Sequence, residues 1–196
     1  MTEADPRDTP GSFAITVIGT GYLGLTHAVC LADLGHHVLA ADVDAAKIGR
    51  AARGEVPFFE PGLEALLRKN LDAGRLRFTT SLAEAAAFGD VHFLCVGTPQ
   101  AGDGAADLSY LHAAAGALAP LLRRPGLVVG KSTVPVGTAR PLLARMRAAA
   151  PAGIGVDLAW NPEFLPGGRP RGVPSCGILG ACTRPAASFS TRAAPG

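Results

Sequence analysis

Short apolar runs of strand length alternate with amphipathic stretches through residues 13–165. The clearest run, residues 91–96, is continuously apolar apart from one His, which is typical of a strand buried on both faces of a sheet. The predicted strands are residues 15–18, 37–41, 76–79, 91–96, 127–130 and 156–160, and the predicted helices are residues 22–34, 44–52, 63–71, a segment starting at 81, 108–122 and 138–150. Strands that alternate with helices predict an α/β fold: a Rossmann-like, doubly wound parallel sheet with helices on both faces.

The first strand–helix–strand unit carries a G-x-G-x-x-G pattern. Its first strand runs into Gly19, Gly21 and Gly24, and its second strand ends at Asp42. In such a unit the first glycine permits a sharp turn, the second lets a pyrophosphate approach the backbone, and the third lets the helix pack close to the strand. The helix N-terminus offers unpaired N–H groups to phosphates.

Asp42 adds a preference between the two nicotinamide cofactors. A carboxylate at the end of the second strand accepts hydrogen bonds from a ribose hydroxyl and repels a 2′-phosphate, which favours NAD over NADP. The sequence therefore predicts an NAD-binding unit. The alternative is a doubly wound domain whose crevice binds no nucleotide.

Two later strands also end in polar or glycine-containing turns. Gly97 and Thr98 follow the fourth predicted strand, and Lys131, Ser132 and Thr133 follow the fifth. Ligands of open α/β sheets bind beyond the carboxyl ends of the strands, so these turns are candidate ligand contacts, although plain turns would have the same composition. Lys47, one turn into the next helix, either reaches the cofactor's ribose or is simply solvated.

Composition narrows the functional classes. The formal net charge of +2 is too small to favour nucleic acid or a membrane surface. The four cysteines form no C-x-x-C pair, and no His lies at metal-ligand spacing from Cys, Asp or Glu, so we predict neither a disulfide framework nor a metal site. Cys30 and Cys95 are predicted to be buried thiols. We expect residues 1–12 to form a disordered leader, and we expect a cytoplasmic protein because no signal peptide or apolar span is visible.

Several separate motifs occur together and in a characteristic order. They are GTGYLGL, the strand end at Asp42, EPGLEALL, GRLRFTT, VGTP, KSTVPVGT and NPEFL. In this order the chain resembles the UDP-glucose 6-dehydrogenases of the UDP-glucose/GDP-mannose dehydrogenase group over residues 13–165. KSTVPVGT is more similar to the UDP-glucose branch than to the GDP-mannose branch, in which Arg typically replaces Lys131.

The resemblance implies an oxidoreductase that converts C6 of UDP-glucose from alcohol to carboxylate with two NAD molecules in succession. It implies that Thr98 and Thr133 lie near the nicotinamide, that Glu163 serves in acid–base and hydrolytic steps with Thr133 assisting, and that Glu163, Phe164 and Leu165 contact the UDP-sugar. The candidate cofactor-binding residues are thus Gly19, Gly21, Tyr22, Leu23, Gly24, Asp42, Lys47, Gly97, Thr98 and Thr133. The resemblance leaves open whether the protein forms homo-oligomers.

The resemblance stops at Leu165. Residues 166–196 contain five Pro and six Gly with no periodicity, a composition typical of disorder. The family continues with Arg-Glu-Gly and later carries its nucleophilic cysteine in Gly-Gly-Ser-Cys-Phe-Pro-Lys-Asp. Gly177 and Ile178 follow Cys176 instead, so we do not transfer that role to it, nor to Cys182. One interpretation is that the tail is translated out of frame; the other is a truncated protein with a disordered end.

Three functions remain in competition. The first is a nucleotide-sugar dehydrogenase reduced to its NAD domain, without its central helix and UDP-binding domain, which we expect to bind NAD without appreciable turnover because it lacks the thiol nucleophile. The second is a non-catalytic NAD-binding or subunit-interaction module. The third is another dehydrogenase on the same fold, of the GDP-mannose, 3-hydroxyacyl or 6-phosphogluconate type; EPGLEALL and NPEFL argue against the latter two.

Overall fold

A computed structural model describes residues 11–102 and 104–162. The strands are β1 (Ala14–Ile18), β2 (His37–Ala41), β3 (Leu76–Thr79), β4 (Val91–Leu94), β5 (Gly126–Gly130) and β6 (Val156–Trp160). The helices are α1 (Tyr22–Asp33), α2 (Ala45–Ala52), α3 (Leu63–Asp72), α4 (Leu82–Phe88), α5 (Ser109–Leu118) and α6 (Ala139–Ala149). Short 3₁₀ turns occupy Ala119–Leu121 and Gly153–Gly155.

The six strands form one parallel sheet in the order β3-β2-β1-β4-β5-β6. The order reverses direction between β1 and β4, because the chain first builds outward through β2 and β3 and then returns to build on the other side of β1. This is the doubly wound Rossmann arrangement, so the predicted fold class is confirmed. Ligands of such sheets bind where the order reverses.

The sheet is covered on both faces. Alternate residues of β1 and β2 (Ile15, Val17, Val38, Ala40) join side chains of α1, α2 and α3 in one core cluster. The residues between them point to the other face, where Ile18 packs with side chains of α4, α5 and α6, and Leu39 and Ala41 pack against Ala85 of α4. Cys30 and Cys95 are both buried, as predicted.

Three local expectations were wrong. The fifth predicted helix ends early: after Leu118 the chain tightens into a 3₁₀ turn, because Pro120 has no N–H to continue the α-helical ladder. Ser81 followed by Glu84 at the third helical position predicts a reciprocal capping box at the start of α4, and the structure does not have one. The Ser81 hydroxyl does accept from the Glu84 N–H, but the Glu84 carboxylate accepts from the Thr79 hydroxyl instead of the Ser81 N–H. The strand predicted for residues 91–96 ends at Leu94.

The Phe58-Phe59 pair in the loop before α3 is unusual for an exposed loop, which predicts that both rings pack against the protein. Only Phe58 does so: it packs against the core cluster around α1 and meets the Tyr22 ring edge-on with 4.6 Å between ring centroids. Phe59 is 86% exposed, so the prediction was wrong for that residue.

His92 is buried in the middle of the sheet, and its Nδ1 lies 2.7 Å from the Thr16 hydroxyl. Burial, reinforced by the charge of Arg124 and opposed by Asp90, lowers the pKa of His92 from 6.5 to about 4. Between those two values the unfolded chain binds more protons than the folded chain, so stability is lost as the pH falls through this window.

We therefore predict that His92 makes unfolding pH-dependent. On acidification from neutral pH to the folded pKa, the free energy of unfolding should fall by about 3 kcal/mol through His92 alone. Urea unfolding of the wild type and of His92→Gln across this range measures the difference, because Gln keeps polar atoms but does not titrate here. Equal pH dependence in the two proteins would contradict the assignment.

Candidate functional site

The turn between β1 and α1 requires glycine at its first position. Gly19 has φ +96°, and a Cβ added there would lie 2.8 Å from the Cys95 carbonyl oxygen. Its N–H donates to the Ala41 carbonyl at 2.8 Å. This glycine therefore lets the chain leave β1 sharply while it stays in contact with the neighbouring strand ends.

The other two glycines of the pattern differ from each other in what surrounds them. A Cβ at Gly24 would lie 1.8 Å from the Gly19 carbonyl oxygen, whereas a Cβ at Gly21 would meet no atom of the described residues within 4 Å. Helix α1 is thus pressed against the turn, while the space in front of its N-terminus stays open. Open space beside unpaired helix N–H groups fits a pyrophosphate.

A crevice of about 330 Å³ opens at this point of the sheet. It lies beside the carboxyl ends of β1 and β4, where the strand order reverses. Its walls come from the turns after β1, β4 and β5, and they consist of Gly21, Tyr22, Leu23, Cys95, Val96, Gly97, Thr98, Lys131, Ser132 and Thr133. The structure therefore brings six of the predicted cofactor-binding residues together in one cavity.

Hydrogen bonds tie the turns after β4 and β5 to each other. The Thr98 hydroxyl donates to the Thr133 carbonyl at 3.0 Å, and the buried Ser132 hydroxyl donates to the Val96 carbonyl at 2.6 Å. The two threonines that were predicted at the nicotinamide end thus lie side by side on neighbouring turns that are fixed relative to one another.

The exit of β6 is joined to the same wall. The buried Lys131 ammonium donates to the Asn161 side-chain carbonyl at 2.8 Å, and the Trp160 indole N–H donates to the Ser132 carbonyl at 2.9 Å. The chain therefore leaves β6 at the edge of the sheet where the crevice lies. Glu163, Phe164 and Leu165 fall outside the described residues, as do Cys176 and Cys182.

Asp42 lies at the end of β2, and its carboxylate is held at both oxygens. Oδ2 accepts from the Thr20 N–H at 2.7 Å and from the Thr20 hydroxyl at 2.9 Å, and Oδ1 accepts from the Asp44 N–H at 3.0 Å. Burial alone would raise the pKa of Asp42, but these hydrogen bonds and the charge of Lys47 together hold it below its ordinary value. The group is thus a fixed anion that keeps acceptor capacity on Oδ1.

The position of Lys47 is compatible with both predictions made for it, contact with the cofactor's ribose and exposure to solvent. Its Nζ lies 4.0 Å from Asp44 Oδ2, and both side chains are about half exposed. Asp44 itself caps α2 by accepting from the N–H groups of Ala46 and Lys47. The Lys47 ammonium therefore lies near the end of β2 and is accessible to solvent. Its contact with a ribose stays a prediction.

Tyr22 connects the crevice to the loop before α3. Its hydroxyl donates to Glu60 at 2.7 Å, and this bond to a carboxylate, with some burial, raises the pKa of Tyr22 above its ordinary value. A second hollow of about 280 Å³ lies under the same loop, bordered by Phe58 and Glu60. The loop is therefore held against the crevice wall, which the sequence did not indicate.

Sequence reasoning also missed Thr20. This residue is 3% exposed and provides two of the three hydrogen bonds that hold Asp42. A hydroxyl-bearing residue inside a glycine turn was the only signal in the sequence, and it becomes informative only when the end of β2 is seen beside that turn.

The described part of the chain contains neither a cluster of metal ligands nor a helix fit to span a membrane. Within residues 11–102 and 104–162, no group of three or more His, Cys, Asp or Glu side chains is arranged to hold a metal ion. Among the helices of that same part, none has the length and apolar character needed to cross a membrane.

The doubly wound sheet, the glycine turn and the carboxylate at the end of β2 together define a dinucleotide-binding domain of the dehydrogenase class. The chain belongs to the UDP-glucose/GDP-mannose dehydrogenase family, because residues 13–171 match the NAD binding domain of that family. NAD is accordingly the cofactor of this domain, and the predicted family is confirmed.

Known proteins resemble the chain over the same region. It is 49% identical over 152 residues to the UDP-glucose 6-dehydrogenase of Rhizobium meliloti, with 77% of this chain and 35% of that protein covered. A UDP-glucose dehydrogenase structure from Pyrobaculum islandicum superposes with TM-score 0.75 at 44% identity, over 81% of this chain and 38% of that one. A GDP-mannose dehydrogenase structure from Pseudomonas aeruginosa gives TM-score 0.74 at 36% identity, over 78% and 36%. The chain spans about a third of the length of the curated relatives it matches.

Proposed function

We propose that this chain forms the NAD-binding part of a dehydrogenase that oxidises UDP-glucose to UDP-glucuronate. The observation that carries the proposal is the Asp42 carboxylate, fixed beside a glycine turn whose front is open at Gly21. A fixed anion at that point accepts a hydrogen bond from a ribose hydroxyl. The open turn leaves room for the pyrophosphate, which is the next group of the dinucleotide.

Each wall of the crevice then has a role toward the cofactor. The turn at Gly19 and Gly21 receives the pyrophosphate on backbone N–H groups, and Asp42 orients the adenosine ribose. Thr98 and Thr133, joined by a hydrogen bond between neighbouring turns, would line the nicotinamide end. NAD held here would supply the hydride acceptor, and the apolar side chains of Cys95 and Val96 would exclude water from that end of the crevice.

The substrate side of the proposal rests on residues beyond β6. Glu163 would hold or order water beside the reacting carbon as a general acid–base group, and Phe164 and Leu165 would contact the UDP-sugar. The bonds that join Lys131 to Asn161 and Trp160 to Ser132 support this placement, because they fix the direction in which the chain leaves β6. UDP-glucose is favoured by the 49% identity to a UDP-glucose 6-dehydrogenase; GDP-mannose is the second candidate, since a 36% identical structure is a GDP-mannose dehydrogenase.

The proposal that UDP-glucose is the substrate is tested first by resequencing the DNA across the codons for residues 163–171. If a one-base correction restores Arg-Glu-Gly and an open frame that leads to the cysteine motif, the corrected protein is assayed for NADH formation with UDP-glucose and with GDP-mannose. We expect NADH with UDP-glucose and little with GDP-mannose. The 196-residue chain itself should bind NAD but form no sustained NADH, and steady UDP-glucose-dependent NADH from it would contradict that expectation.

The proposed role of Asp42 in NAD binding is tested by neutralising one carboxylate at a time, first Asp42 and then Asp44. We predict that Asp42→Asn raises the Kd for NAD⁺ about tenfold or more, because a charge-assisted hydrogen bond is lost. The amide also turns one N–H group toward a donor, either at Thr20 or at Asp44. Calorimetric titration with NAD⁺ measures the change.

Asp44→Asn is the matched control for that charge. It removes one carboxylate two positions away while Asn still caps α2, so NAD⁺ affinity should stay close to that of the wild type. Equal losses in the two variants would indicate a general charge effect and would remove the assigned role of Asp42.

A further inference from the structure

Thr20 makes an unusual pair of contacts in the glycine turn. Its backbone N–H and its hydroxyl both donate to the same oxygen, Asp42 Oδ2, at 2.7 and 2.9 Å. The residue is 3% exposed, so the two bonds are shielded from water and hold the carboxylate from one side. The Asp44 N–H holds the other oxygen at 3.0 Å.

These three bonds limit what the carboxylate can do. A carboxylate oxygen has two lone pairs, and both lone pairs of Oδ2 are used by Thr20. The capacity that remains for a ligand lies on Oδ1. A carboxylate tied at both ends also cannot rotate away from an approaching phosphate without breaking bonds, so its charge stays at the place where a 2′-phosphate would sit.

We propose that Thr20 is a positioning residue that sets the preference of this domain for NAD over NADP by locking Asp42 in a single orientation. The inference rests on the proposed function, since it concerns how strongly Asp42 discriminates rather than whether it binds. Thr20 acts only through the Asp42 carboxylate and is assigned no contact with the cofactor.

A purely structural role for Thr20 predicts different behaviour. If the hydroxyl only stabilised the turn, its loss would lower stability and weaken both cofactors by the same factor. If it locks Asp42, its loss weakens NAD binding and relieves part of the repulsion of NADP, so the ratio of the two dissociation constants changes. The ratio is therefore the informative quantity.

The experiment titrates the purified chain with NAD⁺ and separately with NADP⁺ and records the thermal unfolding midpoint of each variant. For Thr20→Val, which keeps the side-chain shape and removes the hydroxyl, we expect the ratio of Kd for NADP⁺ to Kd for NAD⁺ to fall about tenfold. Thr20→Ser, which restores a hydroxyl, should recover most of the ratio. Thr26→Val is the control, because Thr26 is equally buried but donates only to the Tyr22 carbonyl.

A double-mutant cycle decides whether Thr20 acts through Asp42. In an Asp42→Asn background, Thr20→Val should leave the ratio unchanged. Should Thr20→Val not fold, Thr20→Ala, which also removes the hydroxyl, gives the same comparison in both backgrounds. An unchanged ratio in Thr20→Val or Thr20→Ala, or an equal change in the Asp42→Asn background, would overturn the inference while NAD binding by the wild type stands. A wild-type chain that binds neither cofactor would overturn the proposed function first and this inference with it.

Discussion

Gly24→Ala is expected to lower the free energy of unfolding by about 3 kcal/mol or more, which for a domain of this size is roughly 10 °C in the unfolding midpoint. The added Cβ would lie 1.8 Å from the Gly19 carbonyl oxygen and 3.1 Å from the Cys95 Cβ. The first contact is with backbone, which cannot rotate aside as a side chain can. Helix α1 would have to move away from β1, and the N–H groups at its start would move with it.

Gly116→Ala is the matched control for the Gly24 variant, and thermal and urea unfolding measure both. Gly116 also lies within a helix, α5, but a Cβ there meets nothing within 4 Å. Alanine is the better helix former, so this variant should gain about 0.5–1 kcal/mol. If the two substitutions had similar effects, the close approach of α1 to the turn would not be the reason for glycine at position 24.

The sheet could be predicted from the sequence because each strand is a short run of apolar residues, and such a run is visible without knowledge of distant contacts. β2, β3 and β6 begin and end where the apolar runs predict, and the strand–helix alternation leaves a parallel, right-handed arrangement as the natural solution. The errors occur where the run of apolar residues does not distinguish a strand from the turn that follows it. Val96 is apolar because it lines the crevice, not because it continues β4, and an apolar residue looks the same in both environments.

The candidate site was predicted in part for a related reason. The three glycines and Asp42 could be predicted because their spacing is itself the signal. Contacts between distant turns were not. The Tyr22–Glu60 bond spans 38 positions and the Thr98–Thr133 bond spans 35, so nothing in either local segment predicts its partner. Thr20 and Asp42 lie 22 positions apart and meet only because β1 and β2 pair in register.

The three glycines of the turn therefore have different physical roles. Gly19 is required by its positive φ and by the nearby Cys95 carbonyl, and Gly24 by the packing of α1. At both positions the folded protein itself requires glycine, with or without a ligand. Gly21 has φ −66°, which any residue adopts, and no atom of residues 11–102 or 104–162 lies within 4 Å of the place its Cβ would take. The described part of the chain thus gives no reason for glycine at position 21, and we expect the reason to be a ligand.

Gly21→Ala is accordingly expected to abolish most NAD binding and leave the fold intact. The new methyl group would lie in the open space before α1, where the pyrophosphate must approach the backbone, so the Kd for NAD⁺ should rise about a hundredfold through lost backbone hydrogen bonds to a charged group. The unfolding midpoint should move by less than about 3 °C, since no protein atom is displaced. Calorimetric titration and thermal unfolding of one preparation measure both quantities, and Gly116→Ala, remote from the turn, should bind NAD⁺ as the wild type does. Near-normal NAD⁺ affinity in Gly21→Ala would place the pyrophosphate elsewhere, whereas a large drop in its stability would show that glycine at position 21 serves the fold after all.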